Sequence, residues 1–140
     1  MQKLIIDTNV IVSSLIQKSY PYRIVFDLFI GDKIILCISP SLVAEYHEVL
    51  ERPKFVQFRD FVSKAKTILF NIEMKAQKYE PSIIIDLISD KGDNKILELA
   101  DICEADFIIT GNINDFNFPQ YKQTRIVTPR NYWENHKPIE

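Results

Sequence analysis

The stretch that decides the fold is LIIDTN, Leu4-Ile5-Ile6-Asp7-Thr8-Asn9, near the start of this 140-residue chain. Three large apolar residues in succession predict a short strand buried on both faces, and the run stops at an aspartate. In an open α/β sheet, ligands bind at the carboxyl ends of the strands. We therefore expect Asp7 to lie at a binding edge, with Thr8 or Asn9 capping the next helix or orienting the Asp7 carboxylate. The alternative is that Asp7 is only a turn or cap residue.

The composition fits one ordinary globular domain. Hydrophobic residues make up 46% and charged residues 26% of the sequence, which is typical of such proteins. Because Asp7 and Asn9 interrupt the apolar run after Lys3, we predict no signal peptide or membrane span, and a cytoplasmic protein. The net charge of −2 argues against indiscriminate binding to nucleic acid, although segregated basic residues would still allow it. Cys37 and Cys103 lie within apolar runs and are expected to be core residues.

Apolar runs and helical patterns alternate along the chain. Strands are predicted at residues 4–6, 34–38, 83–85, 107–109 and 125–127. Helices are predicted at residues 10–15, 22–30, 40–51, 60–78, 93–104 and 129–135, with a loop at residues 89–92. The alternation predicts an α/β fold in which helices cover both faces of a mostly parallel sheet of about five strands.

Two further carboxylates lie on the core-facing stripes of predicted helices. Leu42 precedes Glu45 by three positions and Val49 follows it by four, so the three residues share one helix face. Asp93 begins a similar stripe on a later helix. Because a buried carboxylate is costly unless it is paired, both are interpreted as facing a cation. Alternatively, Glu45 pairs with a basic residue or reaches solvent, and Asp93 caps its helix, a role for which Asp90 competes.

A polar loop follows the fourth predicted strand. Thr110-Gly111-Asn112 ends that strand as Asp7 ends the first, and Asp115 comes three residues later. Neighbouring parallel strands would place this loop beside Asp7, where Thr110 can donate its hydroxyl to the carboxylate. Asn112 or Asp115 can supply a further oxygen. The alternative is a turn that has no chemical role.

The three carboxylates Asp7, Glu45 and Asp93 would place like charges in one pocket, which destabilises the fold unless a cation neutralises them. Mg²⁺ prefers oxygen ligands and usually binds few carboxylates. Such a site suits phosphodiester hydrolysis, in which the metal acidifies a water and stabilises charge on phosphate oxygens. His47 and His136 are isolated, so the sequence does not predict a zinc site.

The order and spacing of these motifs resemble those of the PIN-domain nucleases, particularly the bacterial toxin-like (VapC-like) branch. The matching pieces cover nearly the whole chain and are residues 6–10, 39–40, 45, 50–55, 90–100, 110–112, 115–116 and 126–129. The resemblance implies one PIN-like domain over residues 1–140, with a three-layer α/β/α sandwich. It also implies Mg²⁺- or Mn²⁺-dependent cleavage of single-stranded RNA, which makes the chain a ribonuclease.

The resemblance assigns the family acids, as catalytic residues and metal ligands, to Asp7, Glu45 and Asp93. The fourth family acid falls at Asn112, which is an amide here. Either Asp115 takes its place, or Asn112 binds the metal through its carbonyl or a water. Thr8, Asn9 and Thr110 are the supporting residues of the site.

Partners also follow from the resemblance. Members of this branch often form homodimers and are blocked by a cognate antitoxin protein, which would make this chain a toxin. The RNA is expected to approach across a basic rim formed by Arg52, Lys54 and Arg59. One alternative is a PIN-like RNA-binding or interaction module without strong catalysis, which Asn112 keeps open. The other is a haloacid-dehalogenase-like phosphotransferase, which needs a second aspartate where this chain has Asn9.

Overall fold

A six-stranded sheet is the central element of the computed structural model, which describes residues 1–88 and 91–139. Its strands are β1 (Lys3–Ile6), β2 (Ile35–Ile38), β3 (Gln77–Lys78), β4 (Phe107–Ile109), β5 (Gln120–Tyr121) and β6 (Thr124–Val127). Their order across the sheet is β3-β2-β1-β4-β6-β5. All neighbouring pairs are parallel except β5 with β6. The mixed α/β fold with a mostly parallel sheet is therefore confirmed. Four of the five predicted strands are present, and β3 and β5 were not predicted.

Helices connect the strands. They are α1 (Thr8–Ile16), α2 (Tyr20–Tyr22, continued by a π-helix at Arg23–Phe29), α3 (Pro40–Leu50), α4 (Phe61–Lys75), α5 (Lys91–Cys103) and α6 (Pro129–Asn135). Short 3₁₀ turns occupy Pro53–Gln57 and Ile113–Asp115. As predicted, Ser39 caps α3: its hydroxyl accepts a hydrogen bond from the Leu42 N–H at 3.3 Å, and Pro40 is tolerated in the first turn. No helix in the described ranges has the length and apolarity needed to cross a membrane.

One cluster of apolar side chains from the strands and helices forms the core. Leu4, Ile5 and Ile6 are fully buried, as expected for a central strand that is covered on both faces. Cys37 and Cys103 are buried free cysteines, in agreement with the prediction that they are core residues. The core thus fixes β1, and with it the position at which Asp7 leaves the sheet.

The predicted strand at residues 83–85 is wrong. These residues form no strand, and Ile84 is 94% exposed. The neighbour of β2 at this edge is β3, after which the Tyr79 N–H donates to the Ile38 carbonyl at 2.9 Å. The isoleucine-rich segment lies off the sheet and contacts α5, where the Ile85 N–H donates to Glu98 Oε2 at 2.9 Å. Backbone hydrogen bonds determine which segment joins the sheet, and the pattern of apolar residues does not predict them.

Two predicted helix boundaries also differ from the structure. The helix predicted at residues 60–78 ends at Lys75, because residues 77–78 are taken up by β3. The helix predicted from Asp93 already begins at Lys91. Ser89 and Asp90, and with them the capping role considered for Asp90, lie outside the described residues.

Candidate functional site

Asp7 directly follows β1, a central strand of the sheet that pairs with β2 on one side and with β4 on the other. Its backbone N–H donates to the Ile109 carbonyl at 2.9 Å, and its side chain is only 7% exposed. The Thr110 hydroxyl donates to Asp7 Oδ2 at 2.8 Å, as predicted from the two adjacent strand ends. Asp7 occupies the N-cap position of α1, but its side chain makes no capping hydrogen bond. The alternative of a cap residue is therefore not supported.

Glu45 is held by a residue of α1. The Thr8 hydroxyl donates a hydrogen bond to Glu45 Oε2. Thr8 was expected to cap the helix or to orient Asp7. The N-cap position is taken by Asp7 itself, and the hydroxyl of the buried Thr8 contacts Glu45 of α3. Asn9 likewise makes a different contact, since its Oδ1 accepts from the Gly111 N–H at 3.4 Å. The residues after Asp7 thus tie β1 to α3 and to the loop after β4.

Asp93 lies in the first turn of α5, where the positive end of the helix dipole favours a carboxylate. The residue is 8% exposed, and Ile96, Leu97 and Ala100 beyond it are buried. The sequence interpretation that Asp93 begins a core-facing stripe is therefore correct.

The loop after β4 contributes Asn112. Its N–H donates to the Thr110 hydroxyl oxygen at 3.0 Å, so Thr110 connects Asp7 and Asn112. Asn112 is exposed and lines the same cleft as Asp7. Asp115 is exposed at the end of its 3₁₀ turn and is not among the described residues that line this cleft.

One cleft of about 580 Å³ brings most of the predicted site residues together. The described residues that line it are Asp7, Thr8, Asn9, Val12, Ser13, Glu45, Val49, Arg52, Lys54, Phe55, Asp93 and Asn112. Arg52 also pairs with Glu48 at 2.8 Å, and the Lys54 ammonium lies 5.1 Å from the centre of the Phe55 ring. Arg59 is 96% exposed and contacts Asp60 outside the cleft. Three acids and two of the three predicted basic residues therefore share one concave surface.

The donor atoms of the cleft fit a hard divalent cation. Asp7, Glu45, Asp93 and Asn112 offer carboxylate and amide oxygens, and the described lining contains no His or Cys; such oxygen donors suit Mg²⁺ and Mn²⁺. In the described part of the chain, however, no three His, Cys, Asp or Glu side chains are grouped closely enough to hold a metal ion. The carboxylates border the cleft from different elements, and two of them are held by separate threonines.

Tyr46 is a residue of the site region that was not predicted from the sequence. It is fully buried, and its hydroxyl donates to the Ile6 carbonyl. Burial and the nearby carboxylates of Asp7 and Glu45 raise the pKa of Tyr46 well above its usual value, so the hydroxyl remains a donor. The signal in the sequence is its spacing of four from Leu42, which places a polar-tipped side chain on the buried stripe of α3.

Asn94 is a second residue of this region that was not predicted, and no pattern in the sequence indicates its role. It is buried beside Asp93. Its Oδ1 accepts from the Leu87 N–H at 3.2 Å and the Ile88 N–H at 3.0 Å, and its Nδ2 donates to the Ile88 carbonyl at 2.7 Å. Asn94 therefore attaches residues 87–88 to the start of α5.

A comparison with protein families matches residues 3–114 to the PIN domain. The chain belongs to the PIN domain family. PIN domains are generally nucleases, which are hydrolases, and they typically use divalent metal ions. The match spans β1 to the loop after β4, and so includes every acid and amide that borders the cleft. Membership of the PIN family favours a nuclease over the haloacid-dehalogenase-like alternative.

A protein from an archaeon is similar in sequence to this chain. The uncharacterized protein MJ1680 of Methanocaldococcus jannaschii is 29% identical to this PIN domain over 110 residues. The aligned part is 79% of this chain and 70% of the relative. The similarity thus extends over most of both proteins.

Proposed function

We propose that this PIN domain is an endoribonuclease that hydrolyses phosphodiester bonds of single-stranded RNA with Mg²⁺ or Mn²⁺. The observation that carries the proposal is the shared cleft, in which Asp7, Glu45 and Asp93 lie with Arg52 and Lys54. Carboxylates suit the reacting end of such a site, and basic side chains position a nucleic acid through its phosphates. A cleft that carries both carboxylates and basic side chains suits this substrate, because the carboxylates can hold the metal ion and the basic side chains can bind the phosphates.

The residues of the cleft have distinct proposed roles. Asp7, Glu45 and Asp93 would hold the ion, with Asn112 offering an amide oxygen. When bound, Mg²⁺ or Mn²⁺ supplies a Lewis acid that polarises the phosphodiester and acidifies a water. Thr110 directs one carboxylate by its hydroxyl hydrogen bond.

Arg52 and Lys54 would bind the phosphates on either side of the scissile bond. Both long side chains line the cleft next to Phe55. Because these contacts touch only the backbone of the RNA, they position the strand without selecting a sequence.

The proposed biological role is that of the toxin in a toxin–antitoxin pair, acting in the cytoplasm as a homodimer. It rests on the resemblance to the toxin-like branch and on membership of the PIN family. Val62, Phe70 and Met74 add support, because they are exposed apolar side chains on α4. Grouped apolar side chains on a surface are typical of protein contacts, as a second copy or an antitoxin would require.

A second candidate is a PIN-like RNA-binding or interaction module with weak catalysis. Asn112 favours it, because an amide brings no negative charge to the metal. The absence of a close carboxylate cluster among the described residues points in the same direction. Binding of RNA without turnover would distinguish this candidate from the nuclease.

The test is incubation of the purified protein with a panel of single-stranded RNAs in Mg²⁺, Mn²⁺ or EDTA. We expect cleavage with either metal and none in EDTA. Asp7→Asn should lower the rate at least about 100-fold, because it removes a preorganised charge at the reacting centre, while the circular-dichroism melting curve remains cooperative. Asp27→Asn is the matched control, since Asp27 is exposed on the π-helix away from the cleft. Full activity of folded Asp7→Asn would refute the proposal.

A further inference from the structure

The residues on either side of Asp7 are bound by two consecutive residues of α3. The Ile6 carbonyl accepts a hydrogen bond from the Tyr46 hydroxyl, and the Thr8 hydroxyl donates one to Glu45 Oε2. Asp7 lies between these two contacts in the chain. Its backbone is therefore fixed from both sides by the same turn of one helix.

The Tyr46 hydroxyl supplies a hydrogen-bond donor to the Ile6 carbonyl at the point where the pairing of β1 with β2 ends. The register of β1 with β2 pairs Lys3 with Ile35 and Leu4 with Leu36, so Ile6 comes opposite Ile38, the last residue of β2. The Ile35 N–H donates to the Gln2 carbonyl at 2.9 Å, so the residue in register with the Ile6 carbonyl is Ser39, which already lies beyond β2 as the N-cap of α3. A buried carbonyl needs a donor, and the Tyr46 hydroxyl is that donor.

We infer that Tyr46 is a positioning residue, whose hydroxyl fixes the end of β1 and the adjoining turn of α3 so that Asp7 and Glu45 face the cleft together. The inference rests on the proposed nuclease function. Tyr46 does not line the cleft and is fully buried, so it acts through the acids and not on the RNA. Its loss should affect the geometry of the acids and leave the phosphate-binding residues in place.

The chain offers a matched control in Tyr132. This residue is also fully buried, and its hydroxyl donates to Gln2 Oε1 at 2.6 Å. The contact lies at the other end of β1, away from Asp7. Tyr46→Phe and Tyr132→Phe therefore remove the same group from opposite ends of the same strand, and only the first lies next to the acids.

The experiment compares the two variants with the wild type in melting temperature, Mn²⁺ affinity by calorimetry, and kcat and KM for RNA cleavage. Both should melt at a lower temperature than the wild type. Only Tyr46→Phe should lower kcat, by about tenfold or more, because small displacements of catalytic groups are costly. Its KM should stay near the wild-type value, because the binding of RNA before reaction is retained. Its Mn²⁺ affinity should fall several-fold, whereas Tyr132→Phe keeps the wild-type value.

Equal kcat and equal Mn²⁺ affinity in the two variants would overturn the inference, since Tyr46 would then be only a structural residue. A Tyr46→Phe variant that fails to fold, while Tyr132→Phe folds, would overturn it as well. If the wild type binds Mn²⁺ but cleaves no RNA, the proposed function fails and Mn²⁺ affinity alone decides the role of Tyr46. A wild type that neither binds Mn²⁺ nor cleaves RNA overturns both.

Discussion

Thr8 donates its hydroxyl to Glu45, which joins the first turn of α1 to the middle of α3 across 37 positions of the chain. The hydrogen bond gives the Glu45 carboxylate a fixed direction on a helix stripe that is otherwise apolar. Because Thr8 directly follows Asp7, the direction of one acid is set by the neighbour of the other. A substitution at Thr8 should therefore change the positions of both carboxylates, Asp7 and Glu45.

Thr8→Val tests this link, because it keeps the branched shape of the side chain and removes the hydroxyl. We expect a loss of about 1.5–3 kcal/mol in the free energy of unfolding, the usual range for a hydrogen bond to a charged group. The kcat for RNA cleavage should also fall. Thr8→Ser keeps the hydroxyl and should retain most of both. Urea denaturation and steady-state kinetics of the two variants measure the difference, and equal kcat values would show that the hydroxyl does not orient Glu45.

Removal of metal should destabilise the protein, because the acids of the cleft repel one another without a cation. A ligand that binds only the folded state stabilises it by about 2.7 kcal/mol at 100 times its Kd, so saturating Mg²⁺ or Mn²⁺ should raise the melting temperature. In EDTA, Asp93→Asn should be more stable than the wild type, whereas Asp27→Asn should not. Scanning calorimetry with and without metal measures these shifts, and identical melting temperatures would argue against a shared metal site.

Arg52 and Lys54 are expected to supply phosphate contacts. The double variant Arg52→Gln and Lys54→Gln should bind RNA more weakly. The slope of log affinity against log salt should become shallower by about 0.7 for each lost contact with a single strand. Arg59→Gln is the control, since this side chain lies outside the cleft, and it should leave the slope unchanged. Filter binding of a non-cleaved RNA in EDTA over a range of salt concentrations gives all three slopes.

Asn112 is the position at which this chain departs from the four-acid pattern, and fewer anionic ligands favour one tightly held ion over two. Asn112→Asp adds a carboxylate to the cleft lining and should tighten Mn²⁺ binding, because affinity for hard divalent cations rises with the number of charged ligands. Asp115→Ala should leave the affinity unchanged, because Asp115 is exposed outside the cleft. Calorimetric titration of Mn²⁺ compares them. A weaker affinity in Asp115→Ala would instead assign Asp115 to the site, which is one of the two alternatives that the sequence leaves open.

Asn94 should be a stability determinant whatever the activity of the protein. Asn94→Leu would leave three backbone groups of Leu87 and Ile88 without their present partner. An unsatisfied buried polar group costs about 1–3 kcal/mol, so the variant should be strongly destabilised in urea. Asn114→Leu changes an exposed asparagine and should have little effect. Similar unfolding curves for the two variants would contradict this role.

The centre of the sheet could be predicted from the sequence because β1 and β4 are covered on both faces, so the buried residues 4–6 and 107–109 are all apolar. The edges could not be predicted in the same way. β3 at Gln77–Lys78 is exposed and polar, and only backbone hydrogen bonds place it in the sheet. Residues 83–85 have the composition of a strand but no neighbouring strand to pair with. The amino-acid composition of a segment indicates whether the segment is buried. It does not indicate which segment lies close enough to the edge strand to form backbone hydrogen bonds with it.

The faces of Glu45 and Asp93 could be predicted because the period of a helix fixes which residues share a side. The contacts of Thr8 and Tyr46 could not, since they depend on how closely α3 packs against the end of β1. The position of Arg59 also could not be predicted from its distance in the sequence. It lies only a few positions from Arg52 in the sequence, but the intervening 3₁₀ turn leads the chain out of the cleft.

The position of β1 between β2 and β4 also determines when during synthesis the cleft can form. The Asp7–Thr110 hydrogen bond spans 103 positions, so β4, which pairs with one edge of β1, is translated long after Asp7. A nascent chain that ends before residue 107 has an unpaired edge on β1 and no hydroxyl to hold Asp7. The acids of the cleft therefore reach their final arrangement only after the whole segment from β1 to the loop after β4 has been synthesised.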